Sequence, residues 1–200
     1  MAVRTISVSL PFTQSLADTA IQFNKACQMV LDYGSTHNVS RKLYLNTATY
    51  KPVPEALPFL PSALVQTARD EASEILKHYR RKHGRYGRVE KQQLSIRYDK
   101  RAFKFYSDSD HVELTTSAGR LSFGFKHHKQ MDRWKGEYTN AQLVIRKHKI
   151  RLNVQVRLPD FTHKTPQSFL GIDLGIVNTA VCSDNSFFNS RRVRAVKGRY

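Results

Sequence analysis

The chain reads as an α+β protein in which a β-domain is interrupted by a helical block. Three observations predict this. A single strand pattern opens the chain, two long stripes at helical spacing follow it, and after about residue 92 the apolar period changes to two.

The first element is Val3 to Leu10. Arg4, Ile6, Val8 and Leu10 fall on one face, and Val3, Thr5, Ser7 and Ser9 on the other. Pro11 ends the strand. Ser15 is an N-cap candidate with Asp18 three residues later, and Leu16, Ala20, Phe23, Cys27, Val30 and Leu31 recur at helical spacing. The spacing predicts a helix over 16–33, ending before Gly34. A less regular helical piece covers 38–47. Pro52, Pro54, Pro58 and Pro61 predict an extended connection. Ser62 then caps a second helix with the stripe Leu64, Ala68, Ala72, Ile75, Leu76 and Tyr79. Both stripes read as core and not as cofactor boxes.

Strand patterns follow at 93–98, 102–106, 111–116, 120–126, 137–146 and 149–157, separated by turn residues such as Lys147-His148. They predict an antiparallel small barrel or sandwich. The isolated first strand should join this later sheet, which makes the helical block an insertion. Residues 159–168, with two prolines, read as a linker. The domain reading is therefore 1–11 as a first strand, 12–91 as the helical insertion, 92–158 as the rest of the β-domain, and 169–200 as a separate final part.

Composition bears on partners. Thirty-three Lys and Arg stand against 16 Asp and Glu in 200 residues, a formal net charge of +17. Such an imbalance selects a polyanion, of which nucleic acid is the commonest. The charge is spread over several segments, unlike the single basic amphipathic helix of a membrane binder. No apolar run approaches a membrane span, and the N-terminus is too weakly apolar for a secretory signal. Cys27 and Cys182 lack metal-ligand or disulfide spacing, so no zinc site is expected, and both thiols read as reduced and buried. The expected location is the cytoplasm.

The positive charge begins at Lys77. Residues 77–104 hold eleven basic residues against two acids, and 119–157 hold ten against two. In "KHYRRKHGRYGRVEK", Lys77, Arg80, Arg81, Lys82, Arg85 and Arg88 can neutralise phosphates, while Tyr79 and Tyr86 can stack on bases. Arg101 and Lys104 extend this block. In "AQLVIRKHKIRLNVQVRLP", one strand face is apolar and the other carries Arg146, Lys149 and Arg151, with Lys147 in the turn. A basic C-terminal stretch adds Arg191, Arg192 and Arg194. Adjacent His127 and His128 should point to opposite sides of a strand, which argues against a metal pair. No block has the pattern of a helix-turn-helix, a zinc finger or a simple RNA-binding motif. Binding dominated by phosphates, and strongly salt-dependent, is the expectation.

The last motif is "FLGIDLGIVNTAVCSDN", 169–185. Phe169, Leu170, Ile172 and Leu174 read as a buried strand containing Asp173, with 177–182 as its hairpin partner. A buried carboxylate needs a metal, a cation or several amides. Two families write this pattern. One is the actin, sugar-kinase and heat-shock ATPase superfamily, whose phosphate-binding hairpin resembles Gly171 to Asn178. The other is the RuvC-type nucleases, whose first motif is an Asp on the first strand of a ribonuclease-H-like fold.

The ordered combination resembles the TnpB (OrfB) family of insertion-sequence RNA-guided DNA nucleases, relatives of type V CRISPR effectors. The resemblance lies in the N-terminal strand, "LPSALVQTARDEASEILKHY", "LVIRKHKIRLNVQVRLP", and the Asp173 motif with its basic tail. It implies a split β-barrel "wedge" domain with an inserted helical recognition lobe, followed by the first strands of a RuvC domain. It also implies a guide RNA held by the barrel and basic blocks, and target DNA paired to that RNA, in a nucleoid-associated prokaryotic protein. Asp173 matches the family's first catalytic carboxylate and would bind Mg2+. The family's later Glu and Asp, and its Cys pairs, have no counterpart in these 200 residues. The expectation is a shortened family member that binds nucleic acid but does not cut alone. A non-catalytic RNA- or DNA-binding protein on the same scaffold, and an ATPase-type hairpin on a basic domain, are the alternatives.

Overall fold

The structure is a computed structural model that describes residues 2–159, 168–175, 178–191 and 195. The chain divides into two compact units, Met1–Asp160 and Phe161–Tyr200. Most of the expected linker (160–167), the hairpin-turn residues Ile176 and Val177, and Arg192 and Arg194 lie outside the described residues.

In the first unit, strand β1 (Ala2–Leu10) is followed by helices α1 (Gln14–Thr36), α2 (Lys42–Thr49), α3 (Pro52–Ala56) and α4 (Ser62–His83). Strands β2 (Ser95–Asp99), β3 (Phe103–Tyr106), β4 (His111–Thr116) and β5 (Gly119–Gly124) come next. Helix α5 (Lys129–Arg133) precedes the long strands β6 (Glu137–Arg146) and β7 (Lys149–Leu158).

Strand β1 pairs antiparallel with β7 along its whole length, from Ala2 opposite Leu158 to Leu10 opposite Ile150. Its alternation is the cause: Ile6, Val8 and Leu10 are buried on one side. The sheet order is β1-β7-β6-β2, so the four helices lie in the chain between β1 and β2, the two outer strands of one sheet. Strands β3, β4 and β5 form a second, three-stranded sheet. Both sheets are open, and no closed barrel occurs among the described residues. The chain changes sheet at Asp99–Ala102, where Ala102 N–H donates to Asp99 O (3.0 Å). The two sheets share one apolar core, and the Phe105 ring of β3 meets Tyr138 of β6 edge-on at 4.8 Å. The fold class is therefore α+β with antiparallel sheets, as expected, without the barrel closure.

Helix α1 begins two residues before the expected start and runs past Gly34. The N-cap position is Thr13, not Ser15, and it makes no side-chain capping bond. Gly34 does not stop the helix, because it is the point where α1 meets its neighbours. A Cβ there would lie 2.4 Å from Leu76 Cδ1 and 2.7 Å from Val39 O. The stripe Leu16, Ala20, Phe23, Cys27, Val30 and Leu31 is fully buried. Burial, and then the charge of Glu71, push the Cys27 thiol up to about 12, so it stays protonated.

The proline-rich connection is not wholly extended. Pro52 starts the short helix α3, where its missing N–H costs nothing. Pro61, not Ser62, is the N-cap of α4. Leu64, Ala68, Ala72 and Leu76 are buried, while Ile75 and Tyr79 are half-buried. The helix ends at Gly84, whose φ of +69° lets its N–H reach Arg80 O. His127 and His128 lie in a loop, not on a strand, and the His128 ring caps α5 by accepting from Gln130 N–H. No described helix is long and apolar enough to cross a membrane.

The second unit has strands β8 (Ile172–Asp173), β9 (Asn178–Cys182) and β10 (Phe187–Asn189) in the order β10-β9-β8. The expected pairing of β8 with the following strand is present, with Asp173 opposite Val181. The expected burial is not. Phe169, Leu170, Ile172 and Leu174 are 88%, 54%, 57% and 75% exposed. The reason is that the described residues of this unit form three short strands in one layer, without a second layer among them to cover a face.

Candidate nucleic-acid interface

The β6–β7 hairpin positions the sharpest basic cluster. Its two-residue turn, Lys147-His148, has positive φ at both positions (45° and 60°), the backbone of a tight hairpin that matches strand twist. Arg146 pairs directly with Lys149 across it. Along β7 the inward residues Ile150, Leu152, Val154, Val156 and Leu158 are buried, which forces Lys149 and Arg151 outward. Arg146, Lys147, Lys149 and Arg151 therefore line one open groove of about 530 Å3, with Gln93, Val144 and Asn153. None of these four cations has an ion-pair partner among the described residues.

Gln93 is held in place by α1. Asn24 Nδ2 donates to Gln93 O at 2.9 Å, and Gln28 donates to Val89 O and accepts from Lys91 N–H. The segment 85–94 is thereby tied down although it forms no strand or helix. Lys91, with its acidic neighbour Glu71 and Ser95, anchors the end of this segment.

The end of α4 carries the second cluster. Lys77, Arg80, Arg81, Lys82 and Arg85 are exposed, and none has an acidic partner among the described residues. The basic last turn also faces the negative end of the helix dipole. The two tyrosines expected to stack on bases are already engaged. Arg80 lies 5.3 Å from the Tyr86 ring centre, and the Tyr86 hydroxyl is 3.0 Å from Ser40 Oγ. The Tyr79 ring meets that of His83 at a tilt, with centres 4.4 Å apart, and Gly87 packs against it closely. Arg88 is paired with Glu90 at 3.3 Å.

The remaining predicted residues are dispersed. Arg101 is not a free cation: it pairs with Asp99 and also donates to Gln66 Oε1 at 3.1 Å. Partial burial pushes the Asp99 carboxyl up, but side-chain and backbone hydrogen bonds from Arg101 outweigh this and hold it below its ordinary value. Lys104 is exposed on β3, opposite Glu113. Arg191 is exposed in the second unit.

Asp173 is exposed, contrary to the buried-carboxylate reading. Nearby backbone is ordered by Ser183: its Oγ accepts from Gly171 N–H at 2.9 Å, and its N–H donates to Gly171 O. Asp184 caps its own turn by accepting from Ser186 N–H at 3.0 Å, and these hydrogen bonds hold its carboxyl below its ordinary value. No group of three or more His, Cys, Asp or Glu suited to a metal occurs among the described residues. The described residues thus do not fit a two-metal site.

Sequence reading passed over Arg69. It is buried on α4, where its guanidinium donates to Asn46 Oδ1 (2.9 Å) and to Thr49 O (3.0 Å), closing the end of α2. Burial pulls its pKa below the usual arginine value. Its place beside Ala68 and Ala72 within an apolar stripe was the available signal. No family model matches this chain, and no curated protein is detectably similar to it in sequence.

Proposed function

We propose that the chain is the nucleic-acid-binding N-terminal part of a transposon-encoded RNA-guided DNA endonuclease of the TnpB type. The observation that carries the binding half of this reading is the groove of Arg146, Lys147, Lys149 and Arg151, four cations without a described acidic partner. Uncompensated cations gathered in one groove suit a phosphate backbone. The insertion of a helical block between β1 and β2, the two outer strands of one sheet, agrees with a wedge domain split by a recognition lobe. In this reading residues 169–200 begin a RuvC-like domain. The basic groove holds guide RNA, and base pairing between guide and target DNA supplies sequence recognition. Asp173 stands as the first catalytic carboxylate of the family pattern. The family's Mg2+ chemistry is not assigned to this chain, because its described residues do not assemble the ligands.

The test is fluorescence anisotropy with labelled RNA and DNA oligomers across salt. Affinity is expected to fall steeply, by orders of magnitude, between about 50 and 200 mM salt. Affinity independent of salt would overturn the reading. Tight ATP binding without nucleic-acid binding would replace it with the phosphate-hairpin alternative. Magnesium-dependent DNA cleavage by the pure chain, abolished by Asp173→Ala, would show a competent nuclease instead.

A further inference from the structure

The outer face of the four-stranded sheet carries a second chemistry beside the cations. Along β7 the outward positions run Lys149, Arg151, Asn153, Gln155: two cations, then two amides. On β6, Gln142 sits opposite Asn153 and Asn140 opposite Gln155. These four amides line an open depression of about 440 Å3, with Thr5 of β1 and Arg97 of β2. Asn153 lines both this depression and the basic groove, so the two adjoin on the same sheet.

The amides have hydrogen-bonding capacity to spare. Ser7 donates to Asn153 Oδ1 at 2.8 Å, and the Asn153 Nδ2 donors have no partner among the described residues. Asn140 Nδ2 donates to Gln155 Oε1 at 3.4 Å, and Asn140 Oδ1 and Gln155 Nε2 have no partner among the described residues. The Gln142 side chain makes no hydrogen bond among the described residues. The far wall of the depression belongs to α4 and carries Glu71 and Glu74. Both carboxylates are ion-paired there, Glu71 with Lys91 and Glu74 with Arg97, so this end has little charge to offer a phosphate, while the hairpin end carries four cations without a described acidic partner. A strand laid across this face would keep its backbone at the hairpin and drop its uncharged bases over the amides.

We propose that this face reads unpaired bases of a single nucleic-acid strand, favouring adenine, while the hairpin cations hold that strand's phosphates. Asn and Gln side chains are the usual bidentate partners of adenine. No aromatic residue lines either depression, so hydrogen bonds and not stacking supply the selectivity. Four strands at about 4.8 Å spacing span about 14 Å. That exceeds the ~12 Å major groove, so the face suits bases that have left a duplex. The inference rests on the phosphate-binding reading above, and goes beyond it by assigning base recognition to uncharged amide residues that lie between the cations.

The experiment titrates the full chain with labelled 15-nucleotide oligoadenylate, oligouridylate and their deoxy counterparts with adenine and thymine, at several salt concentrations. Adenine oligomers are expected to bind at least about fivefold tighter, the low end for one bidentate amide–base pair. The exposed-site double variant Gln142→Ala/Gln155→Ala should erase that preference and keep the salt slope. Gln142→Met, which keeps the side-chain length and neutral charge but removes the amide, provides the same comparison if the double variant melts early. Preference in both sugar series supports shared base recognition, and preference confined to the ribo series identifies the strand as RNA. Equal affinity for adenine and uracil, or a preference surviving these substitutions, would overturn the inference and leave salt-dependent binding standing. Absence of salt-dependent binding to every oligomer would instead overturn the functional reading beneath it.

Discussion

Lys91 and Glu71 form an ion pair where the segment before β2 crosses α4, with their side chains only 6% and 15% exposed. Lys91 also donates to Ser95 Oγ at 2.9 Å and lies 6.0 Å from the Phe23 ring centre. The pair joins α4 to the strand that carries the sheet's edge. Removing one partner of a buried pair leaves an uncompensated charge, whereas replacing both with apolar groups is often tolerated. Lys91→Met is expected to destabilise the protein by about 3 kcal/mol. Lys91→Met/Glu71→Leu should recover most of this in urea unfolding. A double variant as unstable as the single one would contradict that account.

Gly34 predicts the cost of a single methyl group. Alanine is favoured over glycine inside a helix by about 1 kcal/mol. Here the added Cβ meets Leu76 Cδ1 and the Val39 carbonyl, at 2.4 Å and 2.7 Å. The side chain can turn away, but the backbone oxygen cannot do so cheaply. Gly34→Ala should therefore lower stability by about 1–3 kcal/mol, as overpacking does, and calorimetric melting would detect it.

His127 predicts a pH dependence. Its ring contacts Asp110 at 2.8 Å and Asp132 at 3.1 Å, one through each nitrogen. The hydrogen bonds to Asp110, and then Asp132, raise its pKa above the ordinary histidine value. The folded state therefore holds this proton more tightly than the unfolded state does. The stabilisation is full below the unfolded pKa of about 6.5 and fades as pH rises through the folded value. Melting temperatures of the wild type and His127→Gln should differ most below about pH 6.5 and converge as the pH becomes alkaline. A gap that is constant with pH would show that the charge is irrelevant.

Asp173 predicts a near-silent substitution within this chain. Its side chain is exposed and it sits at the edge of a three-stranded sheet. Asp173→Asn should change stability by less than about 0.5 kcal/mol, the usual range for a surface site. It should also leave oligonucleotide affinity unaltered. A loss of several kcal/mol in urea unfolding would mean that the carboxylate anchors the second unit.

The local elements were legible because their signals are periodic. The stripe from Leu16 to Leu31 and the alternation of Ile150 to Leu158 each specify one buried face, and both faces are buried. Gly34 was misread because a glycine in sequence marks either a helix end or a close approach, and only the neighbouring Leu76 distinguishes them. Asp173 was misread because an apolar run implies burial only if another layer covers it.

By itself, the sequence determined the order of the two long helices and of strands β1 to β7, the inward faces of β1, β6 and β7, and the excess positive charge. Tertiary structure decided which cations are free. Arg101 and Arg88 are drawn into pairs with Asp99 and Glu90, while the tight hairpin turn gathers Arg146, Lys147, Lys149 and Arg151 without a described acidic partner. It also decided that Asn140, Gln142, Asn153 and Gln155 share one face. The reason is register: period-two alternation fixes the side on which a residue lies, but strand pairing fixes its neighbours.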